Sequence, residues 1–562
     1  MATKPLIIKD WDQGIADSPH KGLQLMKNVD IEEVPGAVVV GKQPASMFHT
    51  ALEKTFTANA STNVITIPSG VFPETGVAVT VSNAGGALPA GLSAATNYFL
   101  IKVTATTAKL ATTITNAKAG TAIDITGAGT GVHTVTTVNP GIITHIIQGD
   151  GFYIAQDDNG RVWYSDTNFF LLNGNTLTNP AGNGIVLFEN SDASATYLLV
   201  FRNALIDVIE VTAITDRRTP SWSNGWQSLN SGATSDNSHY CLHYKGEDNI
   251  IYFCDDRYVG SIKENSGQVF DPANSATYSY TNQALDLPNG ETSFWLESLG
   301  VSLFTSVSTS NKIYPWDRIA DSFYLPLTVP EKNVYRMKNL GDIVYIQAGT
   351  QGNIYRTQGS SVRLFKKLPF SVTKNSASPV ASPVAWGGIE EVAGKLIVGI
   401  DANSTGNDGV YIIYPDGRVV IDNQPLSGSA KVTALLNPGS SNYLMGSDGG
   451  IDVLTAARYS SYEAVIQSGL YRVATKTEKA TFSTLEVVTS RVPSSGTDYV
   501  KVSYRTNTNP ATAFTEIKEF TFTSATEAIQ KDDGIGLIDI ENIQIQVEMS
   551  GNCELISLRL LP

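Results

Sequence analysis

Short apolar runs punctuate the middle of the chain at a near-constant interval. Seven stand out: Phe152-Tyr153-Ile154-Ala155, then residues 197–201, 250–253, 301–304, 343–346, 395–398 and 442–445. Each is followed by a glycine-rich turn and a second strand-like run. The interval is about 40–55 residues, the length of one four-stranded propeller blade. The turns carry the residues that tight hairpins need. Asp157-Asp158-Asn159-Gly160 separates Tyr153-Ile154-Ala155 from Val162-Trp163-Tyr164, and Pro415-Asp416-Gly417 does the same further on. Asn-Gly and Asp-Gly pairs supply the positive φ that two-residue hairpins demand. Only residues 451–458 and 525–532 suggest helix, and both stretches are short. The pattern predicts an all-β chain with a β-propeller of six to eight blades over residues 141–460.

The flanks have other patterns. Residues 1–50 read as an extended segment, with Pro35-Gly36 turning between two apolar stretches. Such a segment either joins the propeller or contacts neighbouring chains. Residues 51–140 are rich in Thr and Ala and poor in aromatics. Strand-sized pieces such as Val64-Ile65-Thr66-Ile67 and Tyr98-Phe99-Leu100-Ile101 predict a small inserted β domain. Residues 461–562 contain Val500-Lys501-Val502-Ser503-Tyr504-Arg505 and Ile543-Gln544-Ile545-Gln546-Val547-Glu548. That period-two alternation predicts sheets with one buried face, hence a C-terminal β-sandwich.

Charge narrows the function. The 562 residues carry a formal net charge of −14, and only 16% are charged. Gripping nucleic acid by its phosphates takes clustered Lys and Arg. The densest basic pairs are Arg217-Arg218 and Lys366-Lys367, so tight DNA binding is not expected. An acidic wall can surround DNA without holding it. Three cysteines, Cys241, Cys254 and Cys553, are too few and too odd for a disulfide framework. The opening residues lack the apolar core of a signal peptide, and no run approaches the roughly 18 apolar residues of a membrane span. Synthesis in a cytoplasm without membrane insertion is the expectation.

Candidate chemistry is sparse. His239, Cys241 and His243 lie at i, i+2 and i+4, on one face if the segment is a strand. These residue types bind zinc, yet packing in a core or interface explains them more cheaply. Asp255-Asp256-Arg257 and Asp10-Trp11-Asp12 are the nearest approach to paired carboxylates, and turn capping accounts for both. No nucleophile elbow, zincin helix or phosphate loop is present. The expectation is no enzyme, no catalytic residues and no cofactor.

Three stretches resemble known families. Gln156-Asp157-Asp158-Asn159-Gly160-Arg161-Val162-Trp163 resembles the Asp-box of sialidase-like propellers, with Asp158, Gly160 and Trp163 on the pattern and Gln156 in place of a hydroxyl residue. The resemblance implies a structural hairpin: the Asp caps the turn and the Trp packs between strands. Residues 88–135 keep, in order, four pieces of a β module that recurs in bacteriophage tail and fibre proteins. The opening, Asp10-Trp11-Asp12-Gln13-Gly14 through Asn28-Val29-Asp30-Ile31 to Val34-Pro35-Gly36-Ala37, resembles that of phage tail-associated propeller proteins.

Together these imply a virion structural protein similar to the tail nozzle (tail tubular) proteins of short-tailed phages. That family implies a homo-oligomeric ring, usually a hexamer, below the portal and adaptor proteins. The ring conducts DNA during ejection and anchors tail fibres. The alternative is a receptor- or glycan-binding fibre protein presenting Trp222, Trp226, Trp295 or Trp316. A polysaccharide-degrading propeller is the third reading, and it requires a carboxylate pair or an arginine cluster in one pocket.

Overall fold

The computed structural model describes residues 5–9, 11, 23–31, 37–48, 52–165, 169–172, 184–202, 204–211, 223–230, 239–245, 249–368, 385–401, 408–426, 431–439, 442–459, 464–474, 479–490, 498–507, 512–522 and 528–562. Seven antiparallel blades of four strands each follow one another along the chain. Their innermost strands are Ile143–Gly149, Gly184–Glu189, Cys241–Lys245, Ser293–Leu299, Val334–Leu340, Ala385–Val392 and Ala434–Leu436. Each packs against the next, and the seventh packs against the first, so the ring closes.

The seven apolar runs of the sequence all fall on second strands, from Phe152–Asp157 in blade one to Leu444–Ser447 in blade seven. A second strand lies between neighbouring blades and is buried on both faces. Thr196–Arg202 and Asn249–Asp255 are each buried at every position but the first. A strand buried on both faces reads as a continuous apolar run rather than an alternating one. The hairpin glycines behave as their turns demand, with Gly160 at φ +68° and Gly417 at φ +89°. Glycine also sets how closely blades approach. A Cβ on Gly184 would stand 1.9 Å from the His239 carbonyl oxygen, and one on Gly387 would stand 1.5 Å from that of Val432.

The first fifty residues knit the units together. Lys42–Ser46 is the outer strand of blade seven and closes the ring. Leu6–Ile8 and Val38–Val40 both pair with the C-terminal strand Glu554–Leu561. Leu23–Lys27 pairs with Ala464–Ser468 and, in parallel, with the outer strand of blade six, Val419–Asn423. Blade six and one layer of the sandwich thereby form one ten-stranded sheet. The other layer is built on Thr484–Thr489 and Glu554–Leu561. A single core containing Trp11, Met26, Val38, Tyr411, Val500 and Leu558 runs through both layers.

Between Lys42–Ser46 and blade one lies a closed six-stranded barrel, from Glu53–Asn59 to Val132–Thr137. Its two stems are clamped where Thr137 Oγ1 accepts from the Leu52 N–H at 2.9 Å and the Thr137 N–H returns to the Leu52 carbonyl at 2.8 Å. Phe48 stacks on Phe169 at 5.1 Å and meets the edge of Trp163 at 5.3 Å, fusing the barrel stem to blade one.

Two helical expectations are corrected. Residues 450–458 form the strand Gly450–Arg458, because that segment is the third strand of blade seven. Ile529–Asp532 is a strand beside Thr484–Thr489, and residues 525–527 lie outside the described residues. One five-residue α-helix, Ile114–Lys118, follows a barrel strand and is N-capped by Thr113. No helix among the described residues is long and apolar enough to cross a membrane.

Candidate ligand well on the propeller axis

The residues singled out in the sequence scatter. Asp158 is exposed and accepts from the Ile142 N–H at 2.9 Å. Trp163 is fully buried, and Gly160 makes the turn. The carboxylate that organises the hairpin is the neighbouring Asp157. Its Oδ1 accepts from the Asn159 and Arg161 N–H groups at 3.0 and 2.9 Å. Its Oδ2 accepts from the Gly141 N–H, Arg161 Nε and Trp163 Nε1 at 3.1, 2.8 and 3.1 Å.

His239, Cys241 and His243 are not gathered around one point. A His239 ring nitrogen bonds the Cys254 carbonyl at 2.9 Å, and His243 Nε2 bonds Asn249 Oδ1 at 2.7 Å. Cys241 donates to the His239 carbonyl at 2.9 Å. Burial pushes the thiols of Cys241 and Cys254 up. Among the described residues no group of three or more His, Cys, Asp or Glu is placed to hold a metal ion. Asp255 is buried and caps Asn230, while Arg257 pairs with Asp286 at 2.8 Å. Asp10, Asp12 and Trp222 lie outside the described residues. Trp316 is buried and donates to the Ala320 carbonyl at 2.7 Å, and half-buried Trp226 donates to that of Pro272 at 2.9 Å.

The arrangement with chemical potential is elsewhere. A cavity of about 460 Å³ lies on the axis, lined by innermost-strand residues of all seven blades, Trp295 among them, and by Tyr240. At its deep end four side chains form one layer. Tyr240 and Trp295 stack with centroids 3.4 Å apart, and His145 stacks on Tyr240 at 5.9 Å. The Arg336 guanidinium lies 5.0 Å from the Trp295 centroid. Its Nη2 donates to the carbonyls of Thr144 and Thr433 at 3.4 and 3.0 Å, tying blade five to blades one and seven.

A charged layer comes next. Glu297 and Lys338 follow Trp295 and Arg336 by two residues on the same strands, a step of about 7 Å on the same face. Lys338 pairs with Glu390 at 2.8 Å. Burial pushes the Glu297 carboxyl up to about 7, although Lys338 pulls the other way. Burial likewise raises Glu390. His145 is pushed down to about 3 by burial and by the Arg336 charge, so it is neutral. Burial lowers Arg336 to about 10, which leaves it a cation at neutral pH. The cavity then continues to exposed Gln148 and Asp150 at its mouth.

None of these groups was singled out in the sequence except Trp295. The available signal is Val334-Tyr335-Arg336-Met337-Lys338, where two cations alternate with buried Met337 on the first strand of a blade.

Fold and site together define a seven-bladed β-propeller that carries an inserted barrel and a C-terminal sandwich and has a polar well on its axis. Solved structures similar to it include three propellers. The β-propeller domain of Cps50 (Swd1) from Myceliophteria thermophila is 10% identical, covering 56% of this chain and 96% of that one, with a TM-score of 0.38. The WD40 β-propeller domain of Doa1 is 9% identical over 57% and 94%, also at 0.38. Virginiamycin B lyase from Staphylococcus aureus is 12% identical over 56% and 97%, at 0.40. No protein-family model matches the chain, and no curated protein matches it either.

Proposed function

We propose that this chain is a structural subunit of a short-tailed bacteriophage virion, of the tail-nozzle kind. Six copies form a ring below the portal and adaptor, conduct DNA during ejection without gripping it, and anchor fibres. The observation that carries the reading is the path of the N-terminal segment. The first fifty residues, of which Asp10 to Ala37 resemble the opening of phage tail propellers, tie sandwich, blade six and blade seven into a single body, with Leu23–Lys27 inside that stretch and Val38–Val40 and Lys42–Ser46 just after it. Such lacing suits a subunit that bears load across its whole length.

Two further features support assembly. The net charge of −14 disfavours adhesion to DNA. Blade four exposes apolar side chains, with Ile319 at 87%, Leu325 at 89% and Val301 at 66%. Arg318 Nε bonds the Val301 carbonyl at 2.7 Å, which holds that turn beside the 317–326 loop. Exposed apolar clusters of this kind mark surfaces covered in assemblies.

The test is direct. Antibody against this chain should label virions at the tail tip or collar in negative stain, and purified protein should form closed rings. Ile319→Asp with Leu325→Asp should shift rings to monomers in mass photometry, with the melting midpoint unchanged. Label along projecting fibres would transfer the assignment to a receptor-binding fibre. Absence of label from virions would end both readings.

A further inference from the structure

We propose that the axial well binds a small carboxylate-bearing ligand, held by the Arg336 guanidinium with His145 beside it. The argument begins with what Arg336 lacks. Only its Nη2 is used, on two backbone carbonyls, and no carboxylate pairs with it among the described residues. Glu390 is near enough to act on its charge, but that carboxylate is committed to Lys338. Nε and Nη1 are therefore left over at the deep end of the cavity.

A guanidinium offers donors in a rigid planar fork that matches a carboxylate. Burying such a cation without a partner is costly, and the cost falls when an anion arrives. His145 supplies the second, independent sign. Its Nε2 is buried and meets no partner, while its Nδ1 contacts Thr144 Oγ1 at 3.1 Å. Two unsatisfied polar groups from blades one and five thus line the same space.

The rest of the lining limits the ligand. A volume of about 460 Å³ suits a monosaccharide, a disaccharide or an amino acid. Above Arg336 the walls present Lys338 and Glu390, with the Glu297 carboxyl close enough behind them to feel both charges, and the mouth presents Glu189 and Asp150. This acidic outer half disfavours a polyanion. It accepts hydroxyl or ammonium groups on the far side of a single carboxylate. Sugar acids and amino acids share that chemistry.

The test uses the intact chain and saturation-transfer NMR, followed by titration calorimetry. Glucuronate and N-acetylneuraminate probe sugar acids, and glutamate probes amino acids. Glucose, the methyl esters of glucuronate and N-acetylneuraminate, and the dimethyl ester of glutamate are the neutralised counterparts. At least one carboxylate should bind, and its ester should bind about tenfold more weakly or not at all. Arg336→Lys keeps the charge but removes the fork, and it should weaken the same carboxylate about tenfold. The ester comparison is made on the unaltered protein, so it decides the matter even if the variant misfolds. Failure of every carboxylate, equal binding of acid and ester, binding of glucose alone, or full affinity in a folded Arg336→Lys variant would each overturn the proposal. The inference needs only one propeller and no ring, so it stands or falls apart from the nozzle reading.

Discussion

The blade-one hairpin and the propeller axis both bury charge, and they do so in opposite ways. At the hairpin, Asp157 is wholly buried and receives five hydrogen bonds, two of them from Arg161. At the axis, Arg336 has two carbonyls and, among the described residues, no carboxylate partner, and Glu297 has been driven up to about 7. A buried polar group that is fully satisfied fixes a structure. One left short of partners holds free energy that a ligand or a proton can release. The difference separates a part that makes the fold from a part that is free to act.

The largest expected effect lies at the hairpin. Asp157→Asn keeps the shape but turns an NH2 group toward donors that had faced an oxygen. Arg161 also loses its partner. Each buried donor left without its acceptor costs about 1–3 kcal/mol, and three donors converge on Oδ2 alone. A fall in the unfolding midpoint of blade one, followed by hydrogen exchange across residues 143–165, checks this. If the loss is below 1 kcal/mol, Asp157 is not the keystone of the turn and the contrast with the axis weakens.

Glu297 sharpens the other half. Its carboxyl is raised from 4.5 to about 7 in the fold. The folded state therefore holds a proton more tightly than the unfolded state does. Stability is undiminished below about pH 4.5 and is lost as pH rises through 7. Glu297→Gln removes that penalty. At about 1.4 kcal/mol per pKa unit, with the pull of Lys338 already contained in that shift, the variant should gain on the order of 3 kcal/mol at pH 8. It should gain nothing at pH 4. Melting curves at the two pH values decide, and a gain independent of pH would remove proton linkage from the account. His145 works in the opposite sense: depressed to about 3, it costs stability as pH falls below 6.5.

The same contrast explains what could be read from the sequence. Second strands were legible because burial on both faces leaves an unbroken apolar run, as in Leu198-Leu199-Val200-Phe201. Hairpin glycines were legible because positive φ restricts the choice of residue. The axial well was not, because its members come from separate blades. Arg336, Trp295 and Tyr240 are brought together only by ring closure, and no local spacing encodes that. That the first fifty residues join the propeller was one of the two expectations, but their partners were hidden for a related reason. Leu23–Lys27 and Lys42–Ser46 find partners more than 390 residues away. Residues 451–458 misled because Val453, Leu454, Ala456 and Ala457 mimic a helical face, whereas Met445 and Leu444 in the neighbouring strand dictate pairing.

The smallest effect concerns the residue that the Asp-box resemblance singles out. Asp158 occupies the acidic position of that pattern, but it is exposed, and its main contact is one backbone N–H at 2.9 Å. Asp158→Ala also frees Asn159 Nδ2, which water can satisfy. A solvent-exposed cap of this kind is worth about 0.5–1 kcal/mol. The hairpin should stay closed, with exchange protection of residues 153–165 unchanged. Set beside Asp157→Asn, the pair of variants asks whether the motif acts through its aligned position or through the carboxylate that burial has selected. A larger loss at Asp158 than at Asp157 would restore the motif's own register and reverse the ranking of the two.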